Sequence, residues 1–97
     1  GKLVVFRYGG KLSLSADIAN EISYRFPGKV VLVAYTNDYS VNVSIRGNMD
    51  VRDITLRAIE NLEGATGGGH RNATGAKMLV EHLPRFKEKI QELIKNQ

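Results

Sequence analysis

A chain of 97 residues with 42% hydrophobic side chains makes a single domain, one that buries about 60–65% of its unfolded surface with little margin. Fourteen lysines and arginines against ten acidic residues leave a net charge of +4, a mild bias toward polyanions such as nucleic acid. The chain has no cysteine, which excludes disulfides, thiolate metal ligands and thiol nucleophiles and fits a reducing, cytoplasmic setting. No apolar run approaches the roughly 18 residues of a membrane span, residues 30–34 being the longest, so no membrane partner is expected.

The first strand is predicted at residues 3–6, β-branched and aromatic, with Gly9 and Gly10 behind it. Ser13 or Ser15 can cap a helix with Asp17 in its first turn. Ile18, Ala19, Ile22 and Phe26 follow at helical spacing, and Pro27-Gly28 ends it. Residues 30–34 are apolar on both faces, the mark of a central strand covered from both sides. Asn37-Asp38 predicts a tight turn into residues 40–46, which alternate without a fault. Val41, Val43 and Ile45 face one way, while Ser40, Asn42, Ser44 and Arg46 face the other. Ser44 and Arg46 thus stand about 7 Å apart along the strand. Gly47-Asn48 breaks the strand, and Asp50 caps a second helix running to about Leu62, with Val51, Ile54, Ala58 and Leu62 inward. Gly64 stops it. Residues 67–75 then predict a loop, residues 76–80 a short last strand, and Pro84 the first turn of a third helix. That helix turns Leu83, Phe86, Ile90, Leu93 and Ile94 inward. The order β-α-β-β-α-β-α is an α/β fold with helices packed on a mixed sheet.

The candidate site is the segment Gly67-Gly68-Gly69-His70-Arg71-Asn72-Ala73-Thr74-Gly75. A run of glycines persists where backbone enters positive φ or lets something come close. The histidine beside it is the one side chain that changes charge near neutrality without a perturbed environment. Successive N–H groups of Gly67, Gly68 and Gly69, with the imidazole of His70, can hold an oxyanion. No Lys-Ser/Thr pair follows the glycines, so this is not a Walker loop, and the run follows a helix rather than a first strand, so it is not a dinucleotide fingerprint. The competing interpretation is a plain connection between helix and strand. Arg46 carries a fork that matches two phosphate oxygens, although a solvated strand-end arginine would look the same. Ser44 and Asn42 share its polar face; Arg71 and Lys77 flank the glycines and can steer a polyanion. Asp17, Asp38, Asp50 and Asp53 fall among caps and turns and suggest no metal cluster. Tyr8, Tyr24, Tyr35 and Tyr39 do not form an alternating platform for stacked bases. Arg85, Lys87 and Lys89 alternate with Glu88 and Glu92, the pattern of a solvated helix face.

A strand carrying Ser44-Ile45-Arg46, a helix beginning near Asp50, and a GGGH motif followed by Asn72-Ala73-Thr74-Gly75 together resemble the DHH-associated C-terminal domain. That domain accompanies the catalytic DHH domain of RecJ-like exonucleases, which are DNA-repair hydrolases, and of related oligonucleotide phosphoesterases. The resemblance spans residues 1–97 as one domain. It implies that Arg46 and His70 contact substrate phosphate or the terminal nucleotide, with Ser44 and Asn72 as further substrate-binding residues. The bare backbone of Gly67, Gly68 and Gly69 then admits single-stranded DNA or RNA. Mn²⁺ or Mg²⁺ belongs, on this resemblance, to a separate DHH catalytic domain, covalently joined or associated. This chain holds no Asp-His-His triplet and on its own is expected to bind no cofactor and cleave nothing. A remoter relative ends the alanyl-tRNA synthetases, which leaves a tRNA-binding or oligomerisation appendage as an alternative. A module that docks a protein partner is another.

Overall fold

The computed structural model describes residues 2–9 and 15–97, Ser15 by its backbone only. Five strands form one mixed sheet in the order β1-β2-β3-β5-β4: β1 (Leu3–Gly9), β2 (Val30–Asn37), β3 (Ser40–Arg46), β4 (Thr66–His70) and β5 (Ala73–Leu79). The helices are α1 (Ser15–Arg25), α2 (Val51–Ile59) and α3 (Leu83–Lys95), the last entered through a single 3-10 turn at Val80–His82. Only β1 and β2 run parallel, a pairing that needs a long crossover, and α1 is that crossover. The expected order is present, with the glycine strand β4 added to it.

The alternation of β3 and the two-sided apolar character of β2 place the core. Leu32 and Ala34 of β2, with Val41, Val43 and Ile45 of β3, lie under α2 and α3, where Val51, Ile54, Phe86 and Ile90 close over them. On the opposite face Val31 and Val33 are covered by α1 through Ala19, Ile18 and Ile22. Asp50 caps α2, its carboxylate accepting from Asp53 N at 3.0 Å. Leu83, Phe86, Ile90 and Ile94 are buried along α3, with Leu93 packed beside them.

Several boundaries differ from the sequence expectations. Of the two serines considered as the cap of α1, Ser13 lies outside the described residues, as does Gly10. Phe26 sits past the end of α1 and packs against Phe6 of β1, ring centroids 6.4 Å apart. The tight turn falls one residue later, between Asn37 and Ser40, which pair. Helix α2 stops at Ile59, yet Leu62 is still buried in the turns that follow, which end at Gly64 with φ +78°.

The largest difference is the glycine run itself. Residues 67–70 are not a loop: they belong to an edge strand, and the last strand starts at Ala73 rather than Ala76. Three glycines are poor strand formers by propensity. Two physical constraints override that propensity. A Cβ on Gly67 would stand 3.1 Å from Ile59 Cδ1, because β4 lies close beneath α2. Gly69 has φ +143°, and a Cβ there would come within 2.7 Å of Ala73 O and 2.8 Å of Thr74 Cα.

Candidate functional site

Strand register sorts the polar residues. On the face that α1 covers only in part, three rows cross the sheet from β2 to β4. Val31, Arg46, Ala73 and His70 form the first; Val33, Ser44, Gly75 and Gly68 the second; Tyr35, Asn42, Lys77 and Thr66 the third. Helix α1 packs over the β2 and β3 ends of these rows. The β5 and β4 ends lie open, and β4 is exposed from end to end. Rows one and two hold the residues that the sequence singles out at two distant places, Ser44 and Arg46 on β3 and Gly68 and His70 on β4. Arg46 and His70 lie two strands apart in one row, about 10 Å between Cα atoms at the usual strand spacing.

Arg46 is the best-defined member. Its Nε donates to Asn20 Oδ1 at 2.7 Å, and its Nη1 to Ile45 O at 2.9 Å and Thr74 O at 3.5 Å. All three acceptors are neutral. None of the three ion pairs among the described residues includes Arg46, and Nη2 has no partner there. Burial lowers its pKa from the ordinary arginine value, without removing its charge near neutrality. A half-buried guanidinium held in orientation by neutral oxygens, with no counter-ion among the described residues, keeps donor capacity that an anion can take.

Asn20 was not foreseen from sequence. It belongs to α1, 26 residues away, and no local pattern links the two. Around Arg46 a cleft of about 370 Å³ is lined by Asn20, Ser23, Tyr24, Gly47, Asn48 and Asn72. A second cleft, about 450 Å³, lies over the next two rows, between Asn42 and Ser44 on one side and Thr66 and Gly67 on the other.

The remaining candidates divide. Ser44 is buried at 8% exposure and forms floor rather than rim. Asn72 is committed to structure: its Nδ2 donates to Met49 O at 2.9 Å and its carbonyl accepts from Gly47 N at 3.2 Å. It fastens the β4–β5 turn beside Arg46, and its side-chain oxygen and second amide hydrogen are not used by that bond. His70 is exposed at the outer end of its row, its carbonyl accepting from Thr74 Oγ1 at 2.6 Å. The glycine backbone is extended, so its N–H groups alternate in direction instead of converging as successive donors. The N-terminus of α2 is also spent, since Arg71 O accepts from Val51 N at 2.8 Å and Arg52 N at 3.3 Å. Anion contact on this face therefore falls to side chains over a bare floor.

Among the described residues no three histidine, cysteine, aspartate or glutamate side chains gather as a metal seat, so manganese finds no fit here. None of their helices is long and apolar enough to cross a membrane.

Comparison with known proteins agrees with this fold. Residues 2–96 match the DHHA1 domain family. Among solved structures, RecJ from Thermus thermophilus in complex with Mn²⁺ superimposes with TM-score 0.79 at 20% identity. That match covers 99% of this chain but 14% of RecJ. The C-Ala domain of Aquifex aeolicus alanyl-tRNA synthetase matches with TM-score 0.69 at 16% identity, covering 94% of this chain and 84% of that one. The pGpG-specific phosphodiesterase PggH from Vibrio cholerae matches at 0.66 and 12%, over 99% of this chain and 34% of its own. No curated protein matches the sequence.

Proposed function

This chain belongs to the DHHA1 domain family, and from that premise we propose that it is the strand-holding half of a DHH-type exonuclease or phosphoesterase. The observation that carries the reading is Arg46, half-buried, oriented by Asn20 and with no carboxylate partner among the described residues, at the head of an open polar face. A phosphate placed there takes Nη2 and pairs a charge that no described residue compensates. His70, in the same row on β4, approaches the same strand end from the other side. The middle row has nothing larger than the Ser44 side chain on β3, β5 and β4, so a sugar-phosphate backbone can lie directly on the sheet.

The work divided to this domain is positioning. Fixing a strand end relative to reacting groups on another domain lowers the barrier by removing rotational and translational freedom at the encounter. In this reading the hydrolytic chemistry, and the metal that RecJ is described with, belong to the partner domain. No step of it passes through the side chains of this chain.

The tRNA-binding alternative draws on one observation, that the likeness extends over 84% of the C-Ala domain. The two readings separate on ligand. Binding of single-stranded oligonucleotides to this chain is measured across a salt series, for wild type, Arg46→Ala and His70→Ala. Our reading expects a loss of about 10–100-fold for Arg46→Ala, the worth of a charge-assisted contact, and a smaller loss for His70→Ala. Preferential binding of folded tRNA that neither substitution affects would favour the synthetase-type appendage instead.

A further inference from the structure

We propose that Lys77 is a second phosphate contact, so that the ligand of this face is a linear single strand longer than a dinucleotide. The inference rests on the reading of the Arg46 row and adds to it a length. Strand β5 alternates as strictly as β3: Thr74, Ala76 and Met78 are buried in the closed layer, and Ala73, Gly75 and Lys77 take the other side. Lys77 is therefore the cation of the third row, cross-strand from Asn42 and Thr66. None of the ion pairs among the described residues includes it.

Distance sets the ligand length. Four residues separate the Arg46 row from the Lys77 row on each strand, about 14 Å at roughly 3.4 Å per residue. A stacked strand advances about 3.4 Å per nucleotide, so this gap spans up to about four nucleotides, and fewer when the strand is extended. A dinucleotide seated at Arg46 leaves Lys77 empty. The row between is clear: a Cβ placed on Gly68 would meet nothing within 4 Å. The cleft of about 450 Å³ ends at Lys77 and Asn42. None of the three rows contains an acidic residue. The face reads cation, neutral floor, cation, a charge spacing suited to phosphates along one chain. A peptide strand adding to the β4 edge would use backbone hydrogen bonds and be indifferent to the charge at position 77.

The test is the affinity of this chain for a labelled single-stranded dinucleotide and hexanucleotide, with Lys77→Gln and Lys77→Arg beside wild type. Lys77→Gln is expected to weaken hexanucleotide binding about three- to tenfold and to lower its log–log salt slope by about 0.7, the loss of one phosphate contact. Dinucleotide binding stays unchanged, and Lys77→Arg keeps wild-type affinity for both. Equal loss on both lengths, or none on the hexanucleotide, overturns the proposal. So does hexanucleotide binding that an extended peptide displaces but Lys77→Gln does not alter. Arg46→Ala serves as the control and should weaken both lengths. If it weakens neither, the failure lies with the Arg46 row itself rather than with Lys77.

Discussion

The same three strands, β3, β5 and β4, present two unlike faces. Toward α2 and α3, Val41, Val43 and Ile45 are at most 2% exposed, and Ala76 and Met78 join them. Toward α1, the three rows carry serine, asparagine, arginine, threonine, histidine, lysine, glycine and one alanine on these strands, and helix cover runs out after β3. A sheet face of this size is ordinarily closed by apolar packing. Among the described residues it stays open over β5 and β4, and its half-buried Arg46 has no counter-ion there. Apolar burial is concentrated on the closed face, and the proposed binding falls to the open one.

That contrast can be broken from either side. The largest expected effect is on the closed face, where Ile45→Ala should lower unfolding free energy by about 2–5 kcal/mol through the cavity it leaves, as read by urea denaturation. Gly69→Ala comes next. It forces a side chain into φ +143° and against the β5 backbone, so a loss of about 1–3 kcal/mol is expected. Its size tests whether β4 needs glycine for backbone reasons alone. The smallest is Asp50→Ala, which removes the α2 cap at a cost of about 1 kcal/mol. The first and last of these should leave oligonucleotide affinity unchanged once the chain is folded. A drop in affinity for either would join the two faces energetically and weaken the contrast.

Most of the closed face was legible in the sequence, because it rests on local periodicity. The alternation of residues 40–46, the Asp50 cap and the stripe of α3 all follow from spacing within one element. The open face was legible only in its ingredients. Arg46 and His70 stood out by residue type, but their sharing of a row depends on β5 pairing between them, a non-local fact. The glycine run read as a loop because propensity argues against glycine in strands, whereas here the constraints come from Ile59 on α2 and from the β5 backbone. Asn20 gave no signal at all, since its role exists only once α1 has folded back across the sheet. Asn72 was legible as polar and near the site, but its amide is spent on Met49, a partner 23 residues upstream.

The central claim is that Arg46 is kept for an anion and not for the fold. The direct measurement pairs thermal unfolding with single-stranded oligonucleotide binding for wild type and Arg46→Ala. We expect stability to fall by no more than about 2 kcal/mol, because the hydrogen bonds lost to Asn20, Ile45 and Thr74 are offset by removal of a half-buried charge, while affinity falls tenfold or more. Unchanged affinity with a clearly destabilised fold would contradict the claim and return Arg46 to a structural role.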